Sequence, residues 1–420
     1  MDTALQPRRA IEALRAGVPN RDAVQALGFA HEGLLQVFEE KVGSLHEGMT
    51  SDEQPQGILI AAEFGAGKSH ALEYLSCRAL ERRCAVSRVV ISKETQLFDP
   101  LKVFRASVRT LRVPDRKGDA LEEIVFTRLG KDAGRFDALC LWLRQGKVNS
   151  RFNATIRLYE DARSNPELHE RLAHFWAGGR LNVTQLKRDL RACGAAGVYP
   201  LEKISSKELA RQHFAFMARL IYAAGYSGWV ILLDELELMS RYSVLQRGRS
   251  YAELARLFGL YPKSAMPGLL TVGTITKDYE YEMLERRDDV NQIGFRLRSR
   301  GDAESELAAA LAEKTMDFIR KPSALLPEPD QDKLRLTWDR LKTLYAEAYG
   351  SCPEESQGPT KVYGWQMREH IRSWITAWDL RRLDPAYRAD VVVNRMGADY
   401  TEDRVMEESS GSEDDEEAVG

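Results

Sequence analysis

An unbroken apolar run, Gly57-Ile58-Leu59-Ile60-Ala61-Ala62, leads directly into Glu63-Phe64-Gly65-Ala66-Gly67-Lys68-Ser69-His70 and then into a helical stretch. A short apolar run of this kind suits a strand buried on both faces of a parallel sheet. The residues 62–69 match the phosphate-loop pattern GxxxxGK[ST] at every fixed position but the first, where Ala62 replaces glycine. Gly65 and Gly67 can take backbone angles that other residues avoid, which turns successive N–H groups inward around an anion. The following helix adds free N–H groups and the positive end of its dipole. Phe64, Gly65, Ala66, Gly67, Lys68, Ser69 and His70 are therefore the expected nucleotide-binding loop. Lys68 reaches the β- and γ-phosphates and the Ser69 hydroxyl coordinates Mg²⁺. The expected ligands are ATP and Mg²⁺. A one-carbon side chain at Ala62 makes the exit from the strand less ideal without abolishing binding.

A second apolar run, Trp229-Val230-Ile231-Leu232-Leu233, ends in Asp234-Glu235. Ligands of parallel sheets sit beyond the C-terminal ends of the strands. That puts Asp234 where it can hold the Mg²⁺ and Glu235 where it can polarise an attacking water as a general base.

The order around the loop is strand, glycine-rich loop, helix and strand (87–94), a βαβ unit. The stretch from about 100 to 203 reads as mainly helical, followed by a helix at 206–226 and a strand at 269–276. Helices are also expected at 8–16, from Asp22 and at 31–46; from 301 to 400 only helices are legible. The predicted fold class is α/β: a mostly parallel phosphate-loop NTPase core, a helical insertion and an all-helical C-terminal domain. The expected boundaries are 1–300 for the ATPase domain (insertion at about 100–215), 301–400 for a helical, lid-like domain and 401–420 for an acidic tail.

The tail holds nine acidic residues and one arginine, which leaves the rest of the chain mildly basic against a net charge of −3. It lacks apolar periodicity and is expected to be disordered, with solubility or partner binding as its roles. The mildly basic body permits nucleic-acid contact without requiring it. No apolar run reaches the roughly 18–20 residues of a membrane span, and the charged N-terminus does not read as a signal peptide. A cytoplasmic location is expected. Five cysteines without a CxxC pair argue against a disulfide framework or a structural zinc site.

With these residues in place, the chain resembles AAA+ and related STAND-type ATPases. The resemblance implies a polar sensor at the end of a later strand, for which Thr276 fits, with Thr274 as the alternative. It implies an arginine finger, for which Arg296 and Arg298 in GFRLRSR fit, unless they belong to a solvated basic stretch. Pro19, Asn20 and Arg21, in Gly17-Val18-Pro19-Asn20-Arg21-Asp22, resemble the element that contacts the adenine base in initiator-type members; a helix-breaking turn is the alternative.

A closer resemblance runs from about residue 8 to 400. The strings EALRAGVPNRDAV, EFGAGKSH, VVISKE, AGYSGWVILLDELELMSRYSVLQRGRSYAEL and MREHIRSWITAWDLRRL are similar to the BREX-system ATP-binding protein family. That resemblance implies a role in prokaryotic anti-phage defence, protein partners within a defence complex, and ATP-dependent action on or signalling about foreign DNA. A homo-oligomer is compatible with it.

Arg241, Arg247 and Arg249 follow the acidic strand closely. They face phosphate, DNA or a neighbouring subunit, or else form structural salt bridges with Glu235, Glu237 and Glu253. Trp365, Trp374 and Trp378, with Ile371 and Ile375, share helical spacings that suit core packing. Three functional readings follow: an ATPase motor or switch, a nucleotide-dependent scaffold with little hydrolysis, and a small-molecule kinase, which the acidic pair and helical C-terminal domain fit less well.

Overall fold

The structure, a computed structural model, describes residues 5–114, 119–161, 165–352, 359–386 and 400–403. Five parallel strands form one sheet in the order β2-β3-β4-β1-β5. They are β1 (Ile58–Ala62), β2 (Ala85–Val90), β3 (Trp229–Asp234), β4 (Leu269–Thr276) and β5 (Ala324–Leu326). Every residue of β1, β3 and β4 is buried, which explains their unbroken apolar sequences. The register sets Ala62 beside Thr276, so the phosphate-loop strand and the end of β4 finish level. β3 stands on the other side of β4 and ends in Asp234.

The sheet is covered on both faces. One face carries Phe38, Leu72, Leu75 and Ala79 against Ile58, Ile60, Val230 and Leu232. The other packs Leu59, Ala61, Ile231 and Leu233 against the helices between β2 and β3 and those after β3. Between β2 and β3 the chain runs through several helices, from Pro100–Arg109 to Ser206–Ala223.

Two features depart from the sequence-based expectations. β2 covers Ala85–Val90 rather than 87–94, because Ser92 Oγ accepts hydrogen bonds from the amides of Glu94 and Thr95 and turns the chain. A fifth strand, Ala324–Leu326, stands in the stretch that reads as helices only and pairs with β1. The helices Leu5–Ala16 and Arg21–Leu27 pack away from the sheet, against Gln331–Tyr349 and Met367–Leu383. Ile11, Leu14 and Leu27 join Trp338, Leu341, Tyr345, Ile375 and Trp378 in that core. Trp378 is fully buried, with its ring 6.1 Å from that of Trp338. The helical layer beside the phosphate loop is thus built from both ends of the described chain. No helix among the described residues is long and apolar enough to cross a membrane.

Candidate functional site

The phosphate loop turns at Gly65 (φ 85°) and Gly67 (φ 101°), in the left-handed region where glycine carries no Cβ penalty. A Cβ at Gly67 would meet nothing within 4 Å, so the loop encloses open space at the start of the helix Lys68–Glu81. An anion-sized cradle of backbone N–H groups results.

Lys68 is buried at the base of this cradle. Its Nζ donates to Ala62 O at 3.4 Å and lies 3.5 Å from Glu237 Oε1. Ser69 Oγ donates to Asp234 Oδ2 at 3.1 Å, so the hydroxyl of the loop and the carboxylate of β3 meet across the sheet edge. Asp234 is only 3% exposed and is held from every side. Thr274 Oγ1 donates to its Oδ1 at 2.7 Å, and Arg88 Nη2 donates to its Oδ2 at 2.8 Å. Hard oxygen donors at this separation suit Mg²⁺, and the open cradle suits a phosphate chain, so the residues present fit both groups.

Glu235 leaves the strand in the left-handed conformation, φ 62° and ψ 41°, which is uncommon for a residue with a side chain. It is exposed at the mouth of the site. Partial desolvation and, next, the charge of Asp234 raise its carboxyl above the usual range, while Lys68, Arg368 and Arg88 oppose the shift. Glu237 is buried, and burial likewise raises its carboxyl against the pull of Lys68. Its Oε2 has no hydrogen-bond partner. Such an orphaned buried oxygen beside the anion cradle marks a place where a further polar group belongs.

Above the loop lies a cleft open to solvent. Leu14, Pro19, Leu27, Phe29 and Ile371 form its apolar wall, and Lys333, Arg340 and Arg368 add cations. The N-terminus of the helix Met367–Leu383 touches the phosphate loop directly. Arg368 N donates to Gly65 O at 3.3 Å, and its guanidinium lies 5.2 Å from the ring centroid of Phe64. His70 Nε2 is 2.8 Å from Gly28 O and ties the loop helix to the N-terminal segment, and burial lowers its pKa.

The structure therefore brings together residues 64–70, Pro19, Asp234, Glu235 and Thr276, and leaves others apart. Asn20 caps the helix Arg21–Leu27 by accepting from Ala23 N at 2.9 Å, and Arg21 is exposed outside the cleft. Thr276 ends β4 with its hydroxyl 2.7 Å from that of Tyr400. Thr274 is buried on Asp234. Arg296 and Arg298 lie on the helix Asp289–Arg298, away from the cleft; Arg296 is exposed and Arg298 pairs with Glu313 at 2.7 Å. Arg247 is fully buried on Asp289 (2.8 Å) rather than on Glu235, Glu237 or Glu253. Arg88, Arg340 and Arg368 escaped the sequence reading, which named Glu237 only as a salt-bridge partner of the arginines and not of Lys68. Arg88 had one signal, a cation within a mostly apolar strand.

Comparison with curated proteins finds no match. The profile of the family described as BREX system ATP-binding protein BrxC/D matches residues 4–131 and 140–362, most of the chain. With a phosphate-loop cradle and an acidic strand end at its centre, the chain belongs to the BREX system ATP-binding protein BrxC/D family.

Proposed function

We propose that this protein is a Mg²⁺-dependent ATPase with an AAA+-type core, acting as a motor or switch in a BREX-type anti-phage defence system, with protein partners of that system and DNA as its target. The observation that carries the reading is the 3.1 Å contact between Ser69 Oγ and Asp234 Oδ2 beneath the glycine cradle. The strand order supports the AAA+ assignment, since β4 separates the phosphate-loop strand from the acidic strand.

In this reading the apolar wall of the cleft receives the adenine base and the loop amides receive the phosphates. Lys68 exchanges Glu237 for the β- and γ-phosphates. Ser69 and Asp234 would hold Mg²⁺, which would supply positive charge to the transferring phosphoryl group. Glu235 takes a proton from the attacking water, a role suited to its raised carboxyl. The Thr276 hydroxyl orients that water. Arg368 and Arg88 supply positive charge within the chain, and Arg296 reaches a γ-phosphate only in a neighbouring subunit of a homo-oligomer.

The second reading, a nucleotide-dependent scaffold with little hydrolysis, is favoured by one observation: Arg298 is engaged by Glu306 and Glu313 within its own chain. ATP turnover by wild type and Glu235→Gln, with and without double-stranded DNA, separates the two. Turnover stimulated by DNA and lost in the variant supports the motor or switch. Binding without turnover in every condition supports the scaffold.

A further inference from the structure

Residues 400–403 lie across the C-terminal edge of the sheet, beside the nucleotide site. The Tyr400 hydroxyl donates to Asp278 Oδ1 at 2.5 Å and lies 2.7 Å from Thr276 Oγ1. A phenol has one proton. With that proton given to Asp278, the Thr276 hydroxyl must donate to Tyr400, and its only hydrogen is used there. Arg287 donates to the carbonyl of Tyr400. Glu402 accepts from Arg247 Nη1 at 2.9 Å, and Arg287 Nη1 lies 3.7 Å away. Asp403 pairs with Lys93 at 3.0 Å, and its amide donates to Arg241 O at 3.1 Å. Tyr400, Glu402 and Asp403 therefore bridge the segments that follow β2, β3 and β4. In open parallel sheets this is the edge at which ligands bind.

We propose that residues 400–403 form an autoinhibitory segment: docked by Tyr400 on Thr276 and Asp278, and by Glu402 and Asp403 on Arg247, Arg287 and Lys93, it competes with productive ATP·Mg²⁺ binding at the adjoining site. The segment withdraws the Thr276 hydrogen from the reacting water or phosphate. It also brings two carboxylates to a place where a nucleoside triphosphate would bring further negative charge. The coupling is reciprocal, so ATP·Mg²⁺ weakens docking as much as docking weakens ATP·Mg²⁺. The Lys93–Asp403 pair and Glu402 are partly solvent-accessible, so salt loosens the contact. The occupant is this chain's own segment. This inference rests on the ATPase reading only for its effect on turnover, not for its effect on affinity.

The test uses the full chain with Tyr400→Phe and with Glu402→Gln/Asp403→Asn. ATP·Mg²⁺ affinity, turnover, and deuterium uptake of a peptide spanning residues 400–403 are measured for each. The expected result is affinity or turnover raised about five-fold or more in both variants. In wild type, uptake over 400–403 rises when ATP·Mg²⁺ is added. Unchanged affinity and turnover in both variants would overturn the proposal, as would uptake indifferent to ATP·Mg²⁺. A chain that binds ATP without hydrolysing it removes the ATPase reading, and the affinity comparison then decides the docking alone. If the wild-type effect scales with protein concentration, a second copy supplies the segment and the intramolecular form is overturned.

Discussion

Lys68 Nζ stands 3.5 Å from Glu237 Oε1, and the other oxygen of that buried carboxyl has no hydrogen-bond partner. In the proposed function Glu237 holds the lysine where a phosphate binds, and nucleotide binding displaces it from Lys68. Glu237→Gln removes the competing charge while keeping the shape. ATP affinity is expected to rise by about ten-fold, equivalent to roughly 1.4 kcal/mol. Burial raises the Glu237 carboxyl, so protonating it as pH falls has the same effect as the substitution. Wild-type affinity should therefore increase towards lower pH by a component absent from Glu237→Gln. Calorimetric titration at several pH values checks both; equal affinities and parallel pH profiles would refute the competition.

Thr274 fixes Asp234 through its 2.7 Å hydrogen bond. Thr274→Val keeps the volume and leaves Asp234 Oδ1 with only the 3.2 Å amide of Glu235. The cost of one lost partner on a buried charged group is about 1–3 kcal/mol. It should appear as a higher Mg²⁺ requirement for ATP turnover, read from a Mg²⁺ titration, with ATP binding in the absence of metal unchanged.

Arg247 and Asp289 form a buried bidentate pair, 1% and 0% exposed, with Tyr251 donating to Asp289 Oδ2 at 3.0 Å. Breaking such a pair strands a buried charge. Asp289→Ala should lower unfolding stability by about 3–5 kcal/mol, whereas Arg247→Met/Asp289→Leu together should cost markedly less. Denaturant unfolding of the three proteins checks the non-additivity.

His370 sits between Trp365 and Trp374, with its Nε2 buried and unpartnered. Burial and, next, Lys361 push its pKa down to about 4. The unfolded chain binds this proton near pH 6.5, so the unfolded state takes up more protons in between. Stability is expected to fall as pH drops from about 6.5 to about 4, by an amount on the order of 2 kcal/mol, and to level off below. His70 and His213, lowered by the same cause, act in the same direction. His370→Phe should flatten part of this slope in denaturant titrations between pH 7.5 and 4.5.

The legible parts of this molecule were those written in contiguous residues. β4 occupies Leu269–Thr276, as its apolar run predicts, and the phosphate loop follows a strand and opens a helix as its pattern requires. What stayed hidden depends on distant segments. β5 has three residues between Pro322 and Pro327, too few for a periodic signal, and exists because the edge of β1 offers it hydrogen bonds. The docking of Ile11 and Leu14 on Tyr345 and Trp378 joins segments more than 300 residues apart. Arg368 reaches the phosphate loop only because that docking places the start of its helix beside Gly65. Glu235 and Glu237 both follow Asp234, and the turn after β3, not their spacing, exposes the first and buries the second on Lys68.

Lys68, Ser69 and Asp234 are proposed to bind ATP with Mg²⁺. The most direct measurement is equilibrium ATP binding, with and without Mg²⁺, by wild type and by Lys68→Ala/Glu237→Gln, a pair of changes that leaves no stranded carboxylate. Binding strengthened by Mg²⁺ in wild type, and weakened about ten-fold or more in the variant, is the predicted result. Equal affinity in the two proteins, indifferent to Mg²⁺, would rule out this site.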